Sequence, residues 1–456
     1  MSDIDNIIQS TEELTEAATY SVDAYISEDY ARAEREKLWR KVWLQAGRVE
    51  DIPEVGNYIT YDIKDDSVII VRSAKDTIKA FHNVCPHRGR KLVDTPKGER
   101  NARGKRVQFT CAFHGWRFDL DGQNAHVGSK DDWNGALEGC TDLSQVRVDT
   151  WGGWVWITLD PECESLQEYL KPIPDMLDPF ELQNMRNRWR KWGIFDCNWK
   201  VALEAFNETY HVQQTHPEFN RYGEFRGWAR AHGKHSNIGY EAAKGMDKNQ
   251  SAKLRLGTNA DPRISTAEMQ VYTWEKANTN TTQTLVDAAL RLKDELPEGT
   301  PPTEVLQHWL KSARADDEAR GVVWPVVDPE HVGKSGTAWQ IFPNFQIGHA
   351  VNNMLCYSAR PYGDDPNKCI FEAAVYELYP AGEEPETNWV FGEPTEEDWC
   401  YVLSQDFANM AAVQQGMKSM GFSGPKPNPY MERSTANLHY NLSQYMGVGE
   451  LHKLKK

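Results

Sequence analysis

Two short cysteine–histidine pairs constrain this chain more than any other feature. Cys85-Pro86-His87 is a C-x-H pair and Cys111-Ala112-Phe113-His114 a C-x-x-H pair, with 23 residues between His87 and Cys111. A structural zinc site uses the same four ligand types. The order argues for iron instead. Each pair supplies one thiolate and one imidazole, so two thiolates can hold one iron of a [2Fe–2S] cluster and two imidazoles the other, which raises the reduction potential. Arg88-Gly89 and Gly115-Trp116 follow the histidines, and a glycine brings backbone close to a cluster with no Cβ in the way. The surrounding runs, Tyr58–Tyr61, Ser67–Val71 and Trp154–Ile157, are β-branched and aromatic, so both pairs fall on tight loops of a β-rich region.

The second informative stretch is Asn198–His216, NWKVALEAFNETYHVQQTH. Glu204, Glu208 and His211 stand at i, i+4 and i+7, one stripe of a helix. His216 comes five residues after His211, a spacing that a regular helix does not align. The helix is therefore expected to end or bulge between them, and Pro217 favours that. Two neutral histidines at a helix end, with one carboxylate, make the facial triad that binds non-haem Fe(II) and leaves positions open for oxygen.

The two motifs, CPHRG…CAFHGW and NWK…E-x-Y-H-x4-H, in this order, resemble those of the Rieske non-haem iron oxygenases, the α (terminal oxygenase) subunits of the aromatic-ring-hydroxylating family. The family's loop between the ligand pairs is usually shorter, which places a small insertion within Lys97–Arg106. The resemblance implies that Cys85, His87, Cys111 and His114 hold a [2Fe–2S] Rieske cluster, and that His211 and His216 hold a mononuclear Fe(II). It also implies a third iron ligand from a late helix, near a Q-D-x-x-N sequence. Gln405-Asp406-Phe407-Ala408-Asn409 fits, which points to Asp406. Its apolar neighbours Val402, Leu403, Phe407 and Met410 would leave a carboxylate in need of a partner. Glu396, Glu397 and Asp398 are the competitors, but a charge run after Pro394 reads as a solvated helix start. Glu208 is implied as the carboxylate that links a cluster histidine of one subunit to an iron histidine of the next, by fixing imidazole orientation. Glu204 is its rival, and Asn409 and Trp116 are further candidates around the metals.

The implied architecture is α+β: an all-β Rieske domain and a helix-grip catalytic domain, an antiparallel sheet with long helices. The expected boundaries are 1–41 for a helical segment, 42–161 for the Rieske domain and 162–456 for the catalytic domain. Within the last, the polar stretch 242–321 is either a lid or a surface insertion around one helix, Thr284–Leu296. Expected strands are Ala338–Ile347, Met354–Arg360 and Ile370–Leu378, with a helix over Leu403–Gly416. The implied system takes electrons from NAD(P)H through a reductase, with or without a ferredoxin, and uses O2 as cosubstrate. The implied assembly is a homotrimer, or α3β3 with a small β subunit. Hydroxylation of an aromatic or related hydrophobic compound is the first reading of the reaction, as in aromatic hydrocarbon catabolism. Oxidative N- or O-demethylation is the second. A non-catalytic Rieske electron carrier is the alternative from another class, and the His211/His216 motif argues against it.

Composition narrows the partners. The formal net charge is −16, which lacks the basic footprint of a nucleic-acid binder. The acidic, polar N-terminus is unlike a signal peptide and the apolar run Gly152–Leu159 is too short to span a membrane, so a cytoplasmic location is expected. Six of the eight cysteines have no pairing pattern, which suits reduced thiols. Against the acidic whole, Arg88, Arg90, Lys91, Lys97, Arg100, Arg103, Lys105 and Arg106 crowd the cluster loops. They read either as a docking face for an acidic electron carrier or as a solvated hairpin.

Overall fold

The computed structural model describes residues 6–222, 226–241 and 261–454. The chain divides into two compact units, Arg32–Tyr169 and the combination of Met1–Ala31 with Leu170–Lys456. Residues 32–41 and 162–169 thus group with the smaller unit rather than with their expected neighbours. Arg40 forks onto Asp66 at 2.7 and 2.9 Å, and Trp43 Nε1 donates to the Glu164 carbonyl at 2.9 Å. The expected helical segment 1–41 is helical only in parts. Helical turns at Thr11–Thr15 and Asp23–Ile26 are followed by a helix from Glu28 that runs through Glu34 and widens into a π-helical turn over Arg35–Trp39, and Ala18–Thr19 pairs with His452–Lys453.

The unit Arg32–Tyr169 is β-rich. Its strands are β1 (Leu44–Arg48), β2 (Asn57–Ile63), β3 (Asp66–Ala74), β4 (Thr77–His82), β5 (Arg103–Lys105), β6 (Phe109–Thr110), β7 (Arg117–Phe118), β8 (Asn124–His126), β9 (Gln145–Trp151) and β10 (Trp154–Thr158). A seven-stranded sheet runs β1-β10-β9-β4-β3-β2-β5, and a small sheet runs β6-β7-β8. Between them pack Ile69, Val71, Phe81, Phe109 and Phe118, all fully buried, each contributing about 1.5–3 kcal/mol of apolar burial. The expected insertion Lys97–Arg106 is partly ordered as the edge strand β5, which pairs with Asn57–Ile59.

The larger unit is built on an eight-stranded sheet. Its strands are β11 (Arg186–Phe195), β12 (Arg226–His232), β13 (His235–Glu241), β14 (Ala338–Ile341), β15 (Phe345–His349), β16 (Asn353–Tyr362), β17 (Asp365–Glu377) and β18 (Trp389–Phe391). They lie in the order β12-β13-β14-β15-β16-β17-β11-β18, antiparallel except for β11 with β18. The expected single strand Ala338–Ile347 is two strands of a hairpin. Proline lacks a ladder donor, and the chain turns at Phe342-Pro343-Asn344 between β14 and β15.

The helices are α1 (Trp199–Glu204), α2 (Val212–Thr215), α3 (Pro262–Tyr272), α4 (Gln283–Glu295), α5 (Pro302–Ala319), α6 (Pro329–Ser335), α7 (Tyr401–Gly416) and α8 (Arg433–Met446). Of the stretch expected to be lid or insertion, 242–260 lies outside the described residues. The remainder is helical, with Thr282 capping α4 through the Leu285 N–H. Part of α3 and the residues after it form a wall of the cavity described below.

Candidate metal sites

The candidate cluster ligands Cys85, His87, Cys111 and His114 lie on two loops of the smaller unit with matching backbone bonds. The Gly89 N–H donates to the Cys85 carbonyl and the Gly115 N–H to the Cys111 carbonyl, both at 3.0 Å. The Cys85 N–H reaches the Arg90 carbonyl and the Cys111 N–H the Trp116 carbonyl, both at 2.8 Å. Gly89 and Gly115 adopt φ of +77° and +71°, and a Cβ on either would meet no protein atom within 4 Å. Left-handed backbone, rather than crowding by the protein, is what calls for glycine there.

Both thiols are buried, while His87 is half-buried and His114 exposed. Burial pushes the Cys85 thiol up, and the neighbouring Cys111 adds to the rise. The imidazoles face each other with ring centroids 4.5 Å apart. Trp116 stacks flat on His87 at 5.0 Å, so it fixes a ligand ring. Buried sulfur and outward imidazole suit an asymmetric two-iron cluster whose histidine-bound iron is nearer solvent. The basic crowd is less free than its count implies. Arg90 pairs with Asp94, Lys91 with Asp62 and Lys105 with Glu54, and Arg100 is buried.

In the larger unit, the expected continuous helix through Glu204, Glu208 and His211 does not form. Helix α1 stops at Glu204, and the Glu208 carboxylate accepts the backbone N–H groups of Tyr210 and His211. That carboxylate therefore closes the turn between α1, which ends at Glu204, and the next helical turn, which begins after His211. The single turn α2 follows, and His216 lies just past its end with φ −119° and ψ 61°. His211 and His216 therefore bracket a short helix.

This break lets the two rings converge. Nε2 of His216 is 3.0 Å and Nε2 of His211 3.4 Å from Asp406 Oδ1. Ligand atoms of His211, His216 and Asp406 all lie within 4.8 Å of one another, a set found nowhere else among the described residues. Asp406 is on the buried face of α7 with Leu403, Phe407, Met410 and Gln414. Glu396 and Glu397 are exposed, and Asp398 accepts the Glu393 N–H. Gln414 ties the two segments together: its Oε1 accepts the Asn198 N–H at 3.0 Å and its Nε2 donates to the Tyr25 carbonyl at 3.1 Å.

The Nδ1 atoms are occupied by other partners. His211 Nδ1 lies 2.6 Å from Glu208 Oε1, and His216 Nδ1 2.8 Å from Gln405 Oε1. Gln405 Nε2 in turn donates to Glu218, which also accepts the Tyr401 hydroxyl at 2.8 Å. With Nδ1 engaged on each ring, Nε2 is left for a metal, and such partners raise ligand basicity. Burial works against protonation of His211, but the hydrogen bond and charge of Glu208, with Asp406, outweigh it and move the imidazole up. One buried carboxylate and two imidazoles fit a divalent iron.

Glu204 is engaged elsewhere. It receives the Tyr25 hydroxyl at 2.9 Å and lies 2.6 Å from His439 Nε2. Asn409 donates to the Gln405 carbonyl at 3.2 Å and lines a hollow with Glu208 and His211. Sequence reasoning did not find Gln405, Glu218, Tyr25 or His439. Gln405 sat beside Asp406 in the motif, and Glu218 two residues after His216; the others have no local signal.

Beside the triad lies a cavity of about 470 Å³, walled by Phe206, Phe219, Ile238, Met269, Leu355 and Leu403 among others. Its volume is that of a small-molecule site.

A Rieske [2Fe-2S] domain matches residues 42–136, and the ring hydroxylating alpha subunit (catalytic domain) matches residues 148–448. The chain belongs to this family of Rieske-type ring-hydroxylating α subunits. The glycine betaine monooxygenase oxygenase subunit of Chromohalobacter salexigens is 33% identical over 187 residues, 41% of this chain and 40% of that protein. The carnitine monooxygenase oxygenase subunit of Escherichia coli is 29% identical over 248 residues, 54% of this chain and 64% of that protein. These matches span less than two thirds of either relative. A quaternary ammonium Rieske monooxygenase in complex with L-carnitine superposes with a TM-score of 0.62 over 96% of this chain and 97% of its own, at 17% identity. That likeness is one of fold. Among the described residues no helix is long and apolar enough to cross a membrane.

Proposed function

We propose that the chain is the terminal oxygenase of a Rieske-type electron-transfer system acting on a small organic substrate. The observation that carries this is the convergence of His211 Nε2, His216 Nε2 and Asp406 Oδ1, with both Nδ1 atoms held from behind. Cys85, His87, Cys111 and His114 would hold the cluster that receives electrons from a reductase, directly or through a ferredoxin. Iron held by the triad supplies activation of O2. The chain's own residues do the rest. Glu208 and Gln405 set the ring orientations, and Phe206, Phe219 and Tyr357 exclude water from the reacting end of the cavity.

Glu208 is placed to act in coupling. Its carboxylate holds His211 and also borders a hollow of about 350 Å³. In a head-to-tail homotrimer, with or without a small β subunit, a neighbour's His114 would meet it there. The exposed edge of His114 supports this arrangement.

Hydroxylation of an aromatic or related hydrophobic compound is the reading that the apolar cavity supports. A second reading, oxidative N-demethylation, is supported by relatives named as monooxygenases of glycine betaine and carnitine, compounds that carry N-methyl groups. Product analysis with isotopically labelled O2 tests both. Two labelled atoms in the product mean dihydroxylation, one means monooxygenation, and formaldehyde released in step with turnover means demethylation, its oxygen exchanging with water. Turnover with neither label in the product nor formaldehyde would overturn the oxygenase assignment.

A further inference from the structure

Two adjacent residues of β11 reach the same carbonyl. Trp189 Nε1 donates to the Asn278 carbonyl at 2.9 Å, and Nη2 of Arg188 donates to it as well. Neighbours on a regular strand point to opposite faces. The register explains the exception. Asn187 pairs with Tyr376 and Trp189 with Val375, so Arg188 is the extra residue of a β-bulge, a device that re-aims a side chain.

The rest of the guanidinium is spent around the same segment. Nη2 also meets the Asn278 side-chain oxygen at 3.1 Å, and Nη1 donates to the Thr281 carbonyl at 3.0 Å. Nη1 pairs with the Glu377 carboxylate at the end of β17. The guanidinium carbon lies over the Trp274 ring, 4.7 Å from its centroid. The Arg188 and Glu377 side chains are 13% and 9% exposed, so solvent screens this pair little.

What Arg188 holds is a wall of the cavity beside the triad. Thr273, Ala277, Thr279 and Asn280 all line that cavity. Thr279 is buried and Asn280 exposed, which puts Asn280 where the cavity meets solvent. The backbone of this wall is irregular. Thr273–Ala277 is a single π-helical turn, and Asn278 and Asn280 adopt φ of +54° and +53°. Left-handed backbone is uncommon outside glycine, although asparagine tolerates it better than most. It persists where the surroundings over-determine it. The Thr281 hydroxyl, 2.5 Å from Gln270 Oε1, ties the segment to α3, and Thr282 caps α4. Arg188 and Trp189 tie it to the sheet.

We propose that Arg188 is a positioning residue for substrate binding: it fastens Asn278–Thr281 to the sheet, so that Thr279 and Asn280 form a fixed wall at the mouth of the cavity, and it thereby sets how tightly a substrate is retained. This rests on the oxygenase reading and deepens it, by assigning retention to a residue that acts through the wall. It also makes this part of the polar stretch 242–321 a wall rather than a lid.

The probe is indole, a small neutral aromatic. Its binding to the iron-loaded, oxidised full chain is measured calorimetrically without O2, and amide hydrogen exchange is read on the same samples. Arg188→Met keeps an unbranched side chain and loses every bond to the wall. A wall in place only about a tenth of the time lowers apparent affinity about tenfold, and that loss is expected for indole. Exchange over residues 273–282, where the Asn278 N–H bonds the Thr273 carbonyl at 2.9 Å, should speed at least about tenfold while the sheet stays protected. Arg188→Lys keeps the charge but not the planar fork, and should recover only part of the binding. Arg188→Met/Glu377→Gln leaves neither buried charge without its partner, and carries the test if the single variant folds poorly. Arg190→Met is the control for a general loss of stability. Arg190 lies two residues along the strand, but bonds the Thr387 carbonyl at 2.7 Å and lies over Trp389. That variant should leave indole binding unchanged.

Unchanged indole affinity in the Arg188 variants would overturn the proposal. So would an equal loss in Arg190→Met, faster exchange spread over the whole sheet, or no measurable indole binding to folded, iron-loaded wild type. Mononuclear iron content and O2 consumption, read on the same samples, report separately on the oxygenase reading. A chain that takes up no such iron fails that reading whatever indole does.

Discussion

In the cluster-binding unit, all four ligands come from two loops close in sequence, each closed by a positive-φ glycine and the same backbone bond from glycine to cysteine. The thiols are buried and the imidazoles turned outward. In the catalytic unit, two ligands bracket a single helical turn and the third comes from a helix far along the chain. There the imidazoles are turned inward and each is held at Nδ1 by a further side chain. The first site is made by local backbone geometry. The second is made by tertiary packing, in which Gln414 and Asn198 join α7 to the start of α1. Changes to a ligand should therefore be equally severe in both. Changes behind the ligands should matter more at the mononuclear site.

The largest expected effect is at the cluster. Cys85→Ser should abolish the low-average-g EPR signal of the reduced protein, because a hydroxyl does not replace a terminal thiolate on the cluster's cysteine-bound iron. A colourless wild-type protein with stoichiometric zinc would break the comparison at once.

Next is Glu208→Gln. Both metal centres should remain loaded, since Glu208 is not a ligand, but reoxidation of the cluster by substrate and O2 should slow about 10–100-fold. Stopped-flow absorbance of the cluster reads this directly. Glu204→Gln should slow it less, because Glu204 bonds Tyr25 and His439 instead. The reverse order would move the coupling role to Glu204.

A smaller effect is expected from Gln405→Leu. Loss of the His216 partner should weaken iron binding about tenfold, with the cluster spectrum unchanged. A competition titration against a chelator measures it, and an unchanged affinity would mean that packing alone orients His216.

The smallest concerns Glu432. Burial pushes its carboxyl up to about 7, the Asn428 N–H opposes this, and Glu208 and Glu204 add to the rise. With the folded value above the ordinary carboxyl value of 4.5, the native state binds more protons than the unfolded chain between them. Stability from this group is thus full below about 4.5 and lost as pH rises to about 7. Glu432→Gln should remove that slope in iron-free protein, a gain of about 1–2 kcal/mol at pH 8 after solvent screening. Denaturant unfolding across pH checks it; an unchanged slope would place Glu432 in better contact with solvent.

The same contrast explains what the sequence disclosed. The candidate cluster loops were legible because their spacing is local and their glycines are conformational necessities. His211 and His216 were legible as a pair, but the helix through them was not, because the Glu208 side chain competes for backbone N–H groups that a periodicity argument gives to the helix. Asp406 could be singled out as a carboxylate in an apolar stripe, and α7 puts it on the buried face. Its supporters Gln405 and Glu218 were hidden, because their roles depend on which segment packs beside which. The split of Ala338–Ile347 turned on Pro343, a signal present in the sequence but outweighed by the apolar run around it.

The most direct test of the account is the iron content of Asp406→Ala beside the wild type. Wild-type protein should carry about three irons per chain, and the variant about two, with its cluster spectrum intact and turnover lost. An Asp406→Ala protein that keeps its full iron complement and oxygenates substrate would contradict the assignment of the triad.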